Sequence, residues 1–478
     1  MNEKKSVSVV REIRRRVIWI IALFLLVVEI SLPQIRPQKS GININSPFYN
    51  ITDQDIEFLY DLTFMSDSVR KTEQEIFAAI YAMIDSAREF IVLDLFLFGH
   101  TTFENNPQFI DIAGELTNRL IAKRKRSPDI PIYFITDEFN GLYYSYQPRH
   151  LEMLAESGVE IIMTDMTSMP NSNWAYSIFW HLIPRWMGNP NYKGWLPNIF
   201  GDPDHKMALR SFLKLLNFKA NHRKVVVTDQ QALITSANPH TASSLHFNIA
   251  FLIKGTIVGE ILRSEIDVGR LSGSQIAGAK YTSRHNGEIR IKYLTEKKIG
   301  ESIIAEIDNT SKGDTVDLAM FYISDRKLVR ALKRALGREV YLRTLLDANK
   351  DAFGRIKKGI PNRQVARELY EAGAQIKWAN TNGEQFHTKL VIITRADIIT
   401  ILGGSANLTR RNLRGYNLES DVMIIAPRGS RVAKEVKGYF EMLWHDEMYA
   451  LDYSNFTDRS AWRYFRYRFQ EWSGMSSF

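Results

Sequence analysis

The chain has 478 residues, and at 45% hydrophobic and 24% charged it is too apolar for a disordered polymer. A formal net charge of +9 suits a polyanionic partner, phospholipid headgroup or nucleic acid, without separating the two. There is no Cys, hence no thiolate metal site, and neither a Walker loop nor a Rossmann glycine pattern is present.

Residues 1–45 carry Arg11, Arg14, Arg15 and Arg16, followed by a nearly continuous apolar run from Val17 to Leu32 that only Glu29 and Ser31 interrupt. The run predicts a transmembrane helix that stays attached, because no small-x-small cleavage site precedes Pro33. The positive-inside rule keeps the arginines cytoplasmic. It predicts a single-pass membrane protein whose catalytic domain lies on the outer, periplasmic or extracytoplasmic, side.

The rest of the chain reads as two halves, residues 46–275 and 276–455. An amphipathic helix over Glu75–Ser86 leads into a strand over Phe90–Phe98, and Gly300–Asn309 leads likewise into Thr315–Ile323. Asp94 and Asp317 are expected at matching places. Next come Pro131–Asp137 and Glu339–Asp347, helices ending at Gly158 and Gly373, and short strands over Val159–Met163 and Gln375–Trp378. Strand alternating with helix predicts a mixed α/β sandwich in each half.

An aromatic insertion at about 166–220 distinguishes the first half. It holds Trp174, Tyr176, Phe179, Trp180, Trp186, Tyr192, Trp195 and Phe200, and it ends in a stretch of interleaved Lys, Arg and Leu before His222. Either a membrane-facing surface or packing over a cleft accounts for it. In the tail, residues 456–478, Trp462, Phe465, Phe469 and Trp472 recur at helical spacing with Arg463, Arg466 and Arg468 between them. That stripe suits a helix lying on a membrane or docked on the domain.

The chemistry is concentrated in a pattern that occurs twice. His222-Arg223-Lys224 precedes three valines, Asp229 and then Ser236-Ala237-Asn238, while His387-Thr388-Lys389 precedes an apolar run and then Gly404-Ser405-Ala406-Asn407. Residues two apart share one face of a strand, so each His and Lys should be presented together. One neutral imidazole can attack phosphorus while the other hands a proton to the leaving oxygen. Two Lys and two Asn would surround the phosphoryl oxygens with donors. A single HxK is weak, but its duplication with two Ser-x-Asn followers points to phosphoryl transfer. The remaining histidines lack this context, although His240 and His246 follow Asn238 closely enough to line the rim.

At these residues the sequence resembles the phospholipase D superfamily, whose HxKxxxxD and GSxN elements occur twice per active site. The resemblance implies duplicated phospholipase D-like α/β sandwich halves with a pseudo-twofold active site complete within one chain, and neither metal nor cofactor. It assigns catalysis to His222, Lys224, Asp229, Asn238, His387, Lys389, Asn407 and Glu419, and substrate binding to Ser236, Gly404 and Ser405, while His240 joins the substrate-binding candidates by its position after Asn238. The second copy departs from the pattern with Thr394 in the place of Asp. The family also carries an acid soon after GSxN that orients the histidine. Asn417-Leu418-Glu419 fits it in the second copy, whereas the first has Asn248-Ile249-Ala250. Glu419 is therefore expected to orient His387 as general acid and base, leaving His222 as nucleophile. Asn221-His222-Arg223-Lys224 is similar to the cardiolipin synthase group and implies a phosphatidyltransferase or phospholipase D acting on glycerophospholipids, with an alcohol or water as acceptor. A nuclease of the same superfamily and a catalytically silent binding protein of the same fold are the alternatives.

Overall fold

The computed structural model describes residues 11–24, 42–99, 109–199, 204–278, 281, 286–352, 355–356 and 358–476. The first half contributes strands β2 (Ile56–Ser66), β3 (Val69–Gln74), β4 (Ile91–Leu95), β5 (Ile132–Thr136), β6 (Glu160–Met163), β7 (Lys224–Thr228), β8 (Gln231–Thr235) and β9 (Asn248–Lys254). They form one mixed sheet in the order β3-β2-β9-β8-β7-β4-β5-β6. The second half contributes β10 (Ile289–Thr295), β11 (Thr315–Met320), β12 (Tyr341–Leu346), a hairpin of β13 (Asp351–Ala352) and β14 (Arg355–Ile356), β15 (Gln375–Ala379), β16 (Lys389–Thr394), β17 (Ile398–Gly404), β18 (Ser420–Pro427) and β19 (Ala450–Asp452). With β1 (Tyr49–Ile51) at its edge, the second sheet runs β1-β10-β18-β17-β16-β11-β12-β15-β19.

The shared order β9-β8-β7-β4-β5-β6 and β18-β17-β16-β11-β12-β15 is the predicted duplication. Register refines it. Lys224 pairs with Leu95 and Lys389 with Met320, so Asp94 matches Ala319, and Asp317 lies two residues from the expected equivalence. The halves also exchange chain. Residues 42–51, expected mainly to open the first half, instead extend the second sheet, with β1 pairing to β10 and Ser46 N donating to Tyr293 O at 3.1 Å.

Alternation of apolar residues along the central strands explains the layering. Val225 and Val227 face a core between the two sheets, shared with Leu390 and Ile392, whereas Val226 and Val391 face outer helical layers. Helices Ile257–Leu271 and Arg431–His445 also enter the central core, the first against β10 and the second against β2. At about 1.5–3 kcal/mol for each aliphatic side chain withdrawn from water, this core makes the halves one folding unit.

Residues 11–24 are helical and exposed, while 25–32 of the predicted membrane segment lie outside the described residues. Among the described residues no helix is long and apolar enough to cross a membrane. The tail helix Ala461–Ser473 docks on the second half through buried Tyr467, whose hydroxyl donates to Ser324 O at 2.9 Å. Its opposite face leaves Trp462, Phe465, Phe469 and Trp472 exposed, each ring adjacent to the next.

Candidate active site

β7 and β16 begin at the two lysines, and each histidine sits just ahead of its strand. Two short parallel bridges join the halves there, one between Asn221 and Leu418 and one between Phe247 and Phe386. In the first, His222 N donates to Leu418 O at 2.9 Å, and in the second Phe247 N donates to Gln385 O at 3.1 Å. Each bridge places the residue before a histidine beside the residue before Glu419 or Asn248. The orienting contacts therefore cross between halves.

Glu419 Oε2 lies 3.0 Å from His222 Nδ1, and Asn248 Oδ1 lies 3.1 Å from His387 Nδ1. The expected pairing of Glu419 with His387 is thereby corrected, as is the apparent lack of a carboxylate for His222. The motif copies were paired within each half, whereas the pseudo-twofold exchanges their partners. Both Nδ1 atoms are engaged, which leaves each Nε2 for chemistry.

The lysines repeat the symmetry. Lys224 Nζ donates to His222 O at 2.8 Å and Lys389 Nζ to His387 O at 2.9 Å. Phe96 and Phe321, each just beyond its strand, stand against the histidine rings at 5.1 and 5.0 Å and under the lysine ammoniums, both at 5.3 Å. Asp137 Oδ2 accepts from Asn221 N at 2.7 Å and Asp347 Oδ2 from Phe386 N at 2.9 Å, so one carboxylate fixes the peptide ahead of each histidine. These four positioning residues were not recognised from the motifs, although superposing the two repeats places them in pairs.

Electrostatics mark the site as short of negative charge. Burial first, then Lys224, Lys389 and Arg411, hold His222 well below the usual imidazole range. Burial, Lys389, His246 and Lys224 do the same to His387. Each lysine thus acts on both histidines, as convergence of the halves requires. Burial lowers Lys224 to about 7, and burial with Lys224 as neighbour lowers Lys389 well below the lysine range. Arg411, whose guanidinium lies 5.1 Å from the Phe218 ring, is a third cation that the motifs did not flag. His246, half expected at the rim, packs its ring 6.0 Å from that of His387. The carboxamide oxygens of Asn238 and Asn407 are buried without a hydrogen-bond partner.

An anion entering here favours the ammonium form of Lys224, raising its pKa from about 7. At pH 8 the protein should therefore take up protons when it binds sulfate. Titration calorimetry in buffers of different ionisation enthalpy measures this, and zero or negative uptake contradicts the anion-site reading.

Several expected site residues have other work. Asp229 lies at the far end of β7, roughly 20 Å of strand from His222, and caps Arg88 N at 2.8 Å and Glu89 N at 3.3 Å. Its expected catalytic role is corrected to a structural one. Asp229→Ala should cost about 0.5–2 kcal/mol, as loss of a cap does, while kcat stays within about twofold. A large loss of kcat at unchanged Tm contradicts this placement.

Ser236 and Ser405 were expected to bind substrate, but they brace the histidine partners. Ser236 Oγ contacts Asn248 Oδ1 at 3.3 Å, and Ser405 Oγ donates to Glu419 Oε2. Gly404 also turns away from substrate, since a Cβ there would meet Ser420 O at 2.3 Å, a close approach to β18 that only glycine permits. His240 is half-buried in the loop after Asn238, and its backbone bridges to Gly99. Arg223 is wholly buried, its guanidinium bonded to Glu265 at 3.1 Å and Glu296 at 2.7 Å.

The duplicated sandwich that carries the two crossed His-Lys pairs has a phospholipase D-like fold. Residues 303–444 match the family model described as cardiolipin synthase, PLD-like domain, so the similarity to that family lies in the second half. The solved structure of phosphatidylserine synthase from Haemophilus influenzae Rd KW20 is similar over 87% of this chain and 91% of its own, at a TM-score of 0.54 and 11% identity, which establishes the shared fold. Polyphosphate kinase from Porphyromonas gingivalis is similar over 91% of this chain and 57% of its own, with a TM-score of 0.46 and 12% identity. The phospholipase D family member Nuc from Salmonella typhimurium is similar over 34% of this chain and 98% of its own, with a TM-score of 0.28 and 15% identity. A comparison with curated proteins finds no match.

Proposed function

We propose that the chain transfers or hydrolyses phosphatidyl groups of glycerophospholipids through a phosphohistidine. The observation that carries this reading is the unequal pair of Nδ1 contacts, carboxylate on His222 and amide on His387. A carboxylate stabilises positive charge on the ring it touches, so His222 suits the nucleophile, whose ring becomes cationic on bonding to phosphorus. His222 Nε2 forms the P–N bond as the P–O bond to the leaving alcohol breaks, and His387 supplies that oxygen with its proton. His387 then accepts a proton from the incoming alcohol or water, whose oxygen displaces His222 and restores it. Lys224, Lys389, Asn238 and Asn407 hold the phosphoryl oxygens throughout. A phosphodiester anion offsets the like-charge repulsion within the site and favours the imidazolium that His387 needs as acid.

Lipid as the substrate is supported by the exposed aromatic stripe on the tail helix and by exposed Ile183, Trp186 and Trp195 in the insertion. Side-chain placement of Trp174 and all of Phe200 lie outside the described residues. Membrane attachment through the segment from Val17 to Leu32, with the catalytic domain on the outer side, belongs to the same proposal and rests on the arginines that precede the segment.

The deciding experiment incubates the purified full chain with phosphatidylglycerol vesicles and, separately, with single-stranded oligonucleotide, each with chelator present. Release or exchange of the headgroup is the expected result. Oligonucleotide cleavage without lipid turnover would transfer the proposal to the nuclease branch.

A further inference from the structure

A cavity of about 470 Å³ lies in the first half, walled by the insertion. This volume suits a headgroup with its glycerol. Neither His222 nor His387 lines the cavity, and a series of aromatic contacts joins it to His222. Tyr143, in its wall, packs edge-on against Phe139 at 6.3 Å, Phe139 against Phe96 at 5.9 Å, and Phe96 against His222 at 5.1 Å.

The charges in its wall divide into matched and unmatched groups. Glu138 is paired with Lys214, and Asp137 accepts two backbone N–H groups, from Asn221 at 2.7 Å and Phe139 at 2.8 Å. Arg210 is different. Its guanidinium lies 5.3 Å from the Trp180 ring, and its Nε and Nη1 are buried with no hydrogen-bond partner. Lys219, which burial lowers to about 7, adds a second cation held only by Met169 O among the hydrogen bonds found. Asn217, 7% exposed, offers a buried carboxamide oxygen that also has no partner.

Buried donors and acceptors without partners cost free energy that a ligand of matching chemistry recovers. Two cations call for a phosphate, the orphan carboxamide oxygen calls for a hydroxyl, and the Trp180 face covers the carbon chain between them. Resting on the transferase reading, we propose that this cavity binds the glycerol phosphate moiety of the acceptor, separately from the phosphate that reacts at His222. It would hold the acceptor beside the phosphoenzyme by its own charge and make an alcohol compete with water.

The test uses titration calorimetry on the full chain carrying Lys389→Met, which stops turnover and weakens anion binding between the histidines. The probes are glycerol 3-phosphate and dihexanoyl phosphatidylglycerol. One binding event is expected in this background. Adding Arg210→Gln should weaken it at least about tenfold, the loss of charge-assisted hydrogen bonds from one guanidinium, and Arg210→Lys should restore part of it. Near-ultraviolet circular dichroism of the Arg210 variants checks that the fold is kept. Binding of the lipid probe points to a lipid acceptor and binding of glycerol 3-phosphate alone to a soluble one, and either supports the site. No binding event in the Lys389→Met background, or an affinity unchanged by Arg210→Gln, overturns the proposal. Loss of the transferase reading is detected separately, as absence of headgroup exchange by the unaltered chain.

Discussion

Alanine at His222 or at His387 abolishes turnover, and trapping experiments separate the two variants. With a lipid analogue whose leaving group needs no proton, His387→Ala accumulates an alkali-stable phosphoenzyme, whereas His222→Ala forms none. The reason lies in what each ring touches. Bonding to phosphorus makes the His222 imidazole cationic beside Glu419 Oε2 at 3.0 Å, so the intermediate is stabilised where the carboxylate stands. His387 has only the amide oxygen of Asn248 at 3.1 Å, and two lysines in its field, so its proton is readily given up. Loss of such an acid and base costs about 10²–10⁴ in rate, and the slow second step leaves the intermediate standing. Mass spectrometry of the labelled protein after an alkaline quench, which preserves the P–N bond, reads the outcome. Label retained in His222→Ala and missing from His387→Ala would exchange the two roles, and substantial activity in either variant would remove the mechanism altogether.

How much of this was legible in the sequence depended on range. His222, Lys224, Asn238, His387, Lys389 and Asn407 were legible because spacing along one strand places them, and strand geometry is local. The repeat of helix and strand was legible for the same reason, and the helices and strands fall within a few residues of expectation. The partners of the histidines were not, because Glu419 and Asn248 each lie on the opposite half and only the pseudo-twofold brings them across. Asp94 and Asp317 show a second limit. Both are buried on central strands, and two strands slipped by two residues keep the same faces, so hydrophobic alternation cannot detect the shift. Ser405 and Gly404 carry a family pattern that looks like substrate contact, yet a serine that braces a carboxylate and a glycine that admits a neighbouring strand leave the same letters.

The crossed pairing has a consequence that the within-half pairing forbids. Glu419→Gln removes a carboxylate from His222 and should lower kcat by about 10²–10⁴, since the amide still accepts Nδ1–H but no longer stabilises the cationic ring. Asn248→Asp acts on the other histidine. A carboxylate 3.1 Å from His387 Nδ1 favours the charged imidazole, so the His387 limb of the pH–rate profile moves to higher pH while the variant stays active. In the unaltered site burial, Lys389 and Lys224 press His387 the other way, which gives the new charge room to act. Some stability is lost, because the Asn248 amide donates to His246 O at 3.3 Å, and removing that donor costs about 1–3 kcal/mol. Scanning calorimetry at neutral pH measures that loss independently of the rate. Had Glu419 oriented His387, Glu419→Gln would move the same limb downward and Asn248→Asp would leave it in place. The two variants therefore displace different limbs only if the histidines exchange partners across the halves. An identical shift from both would mean that the bridges at Leu418 and Phe247 do not set the orientation of the rings.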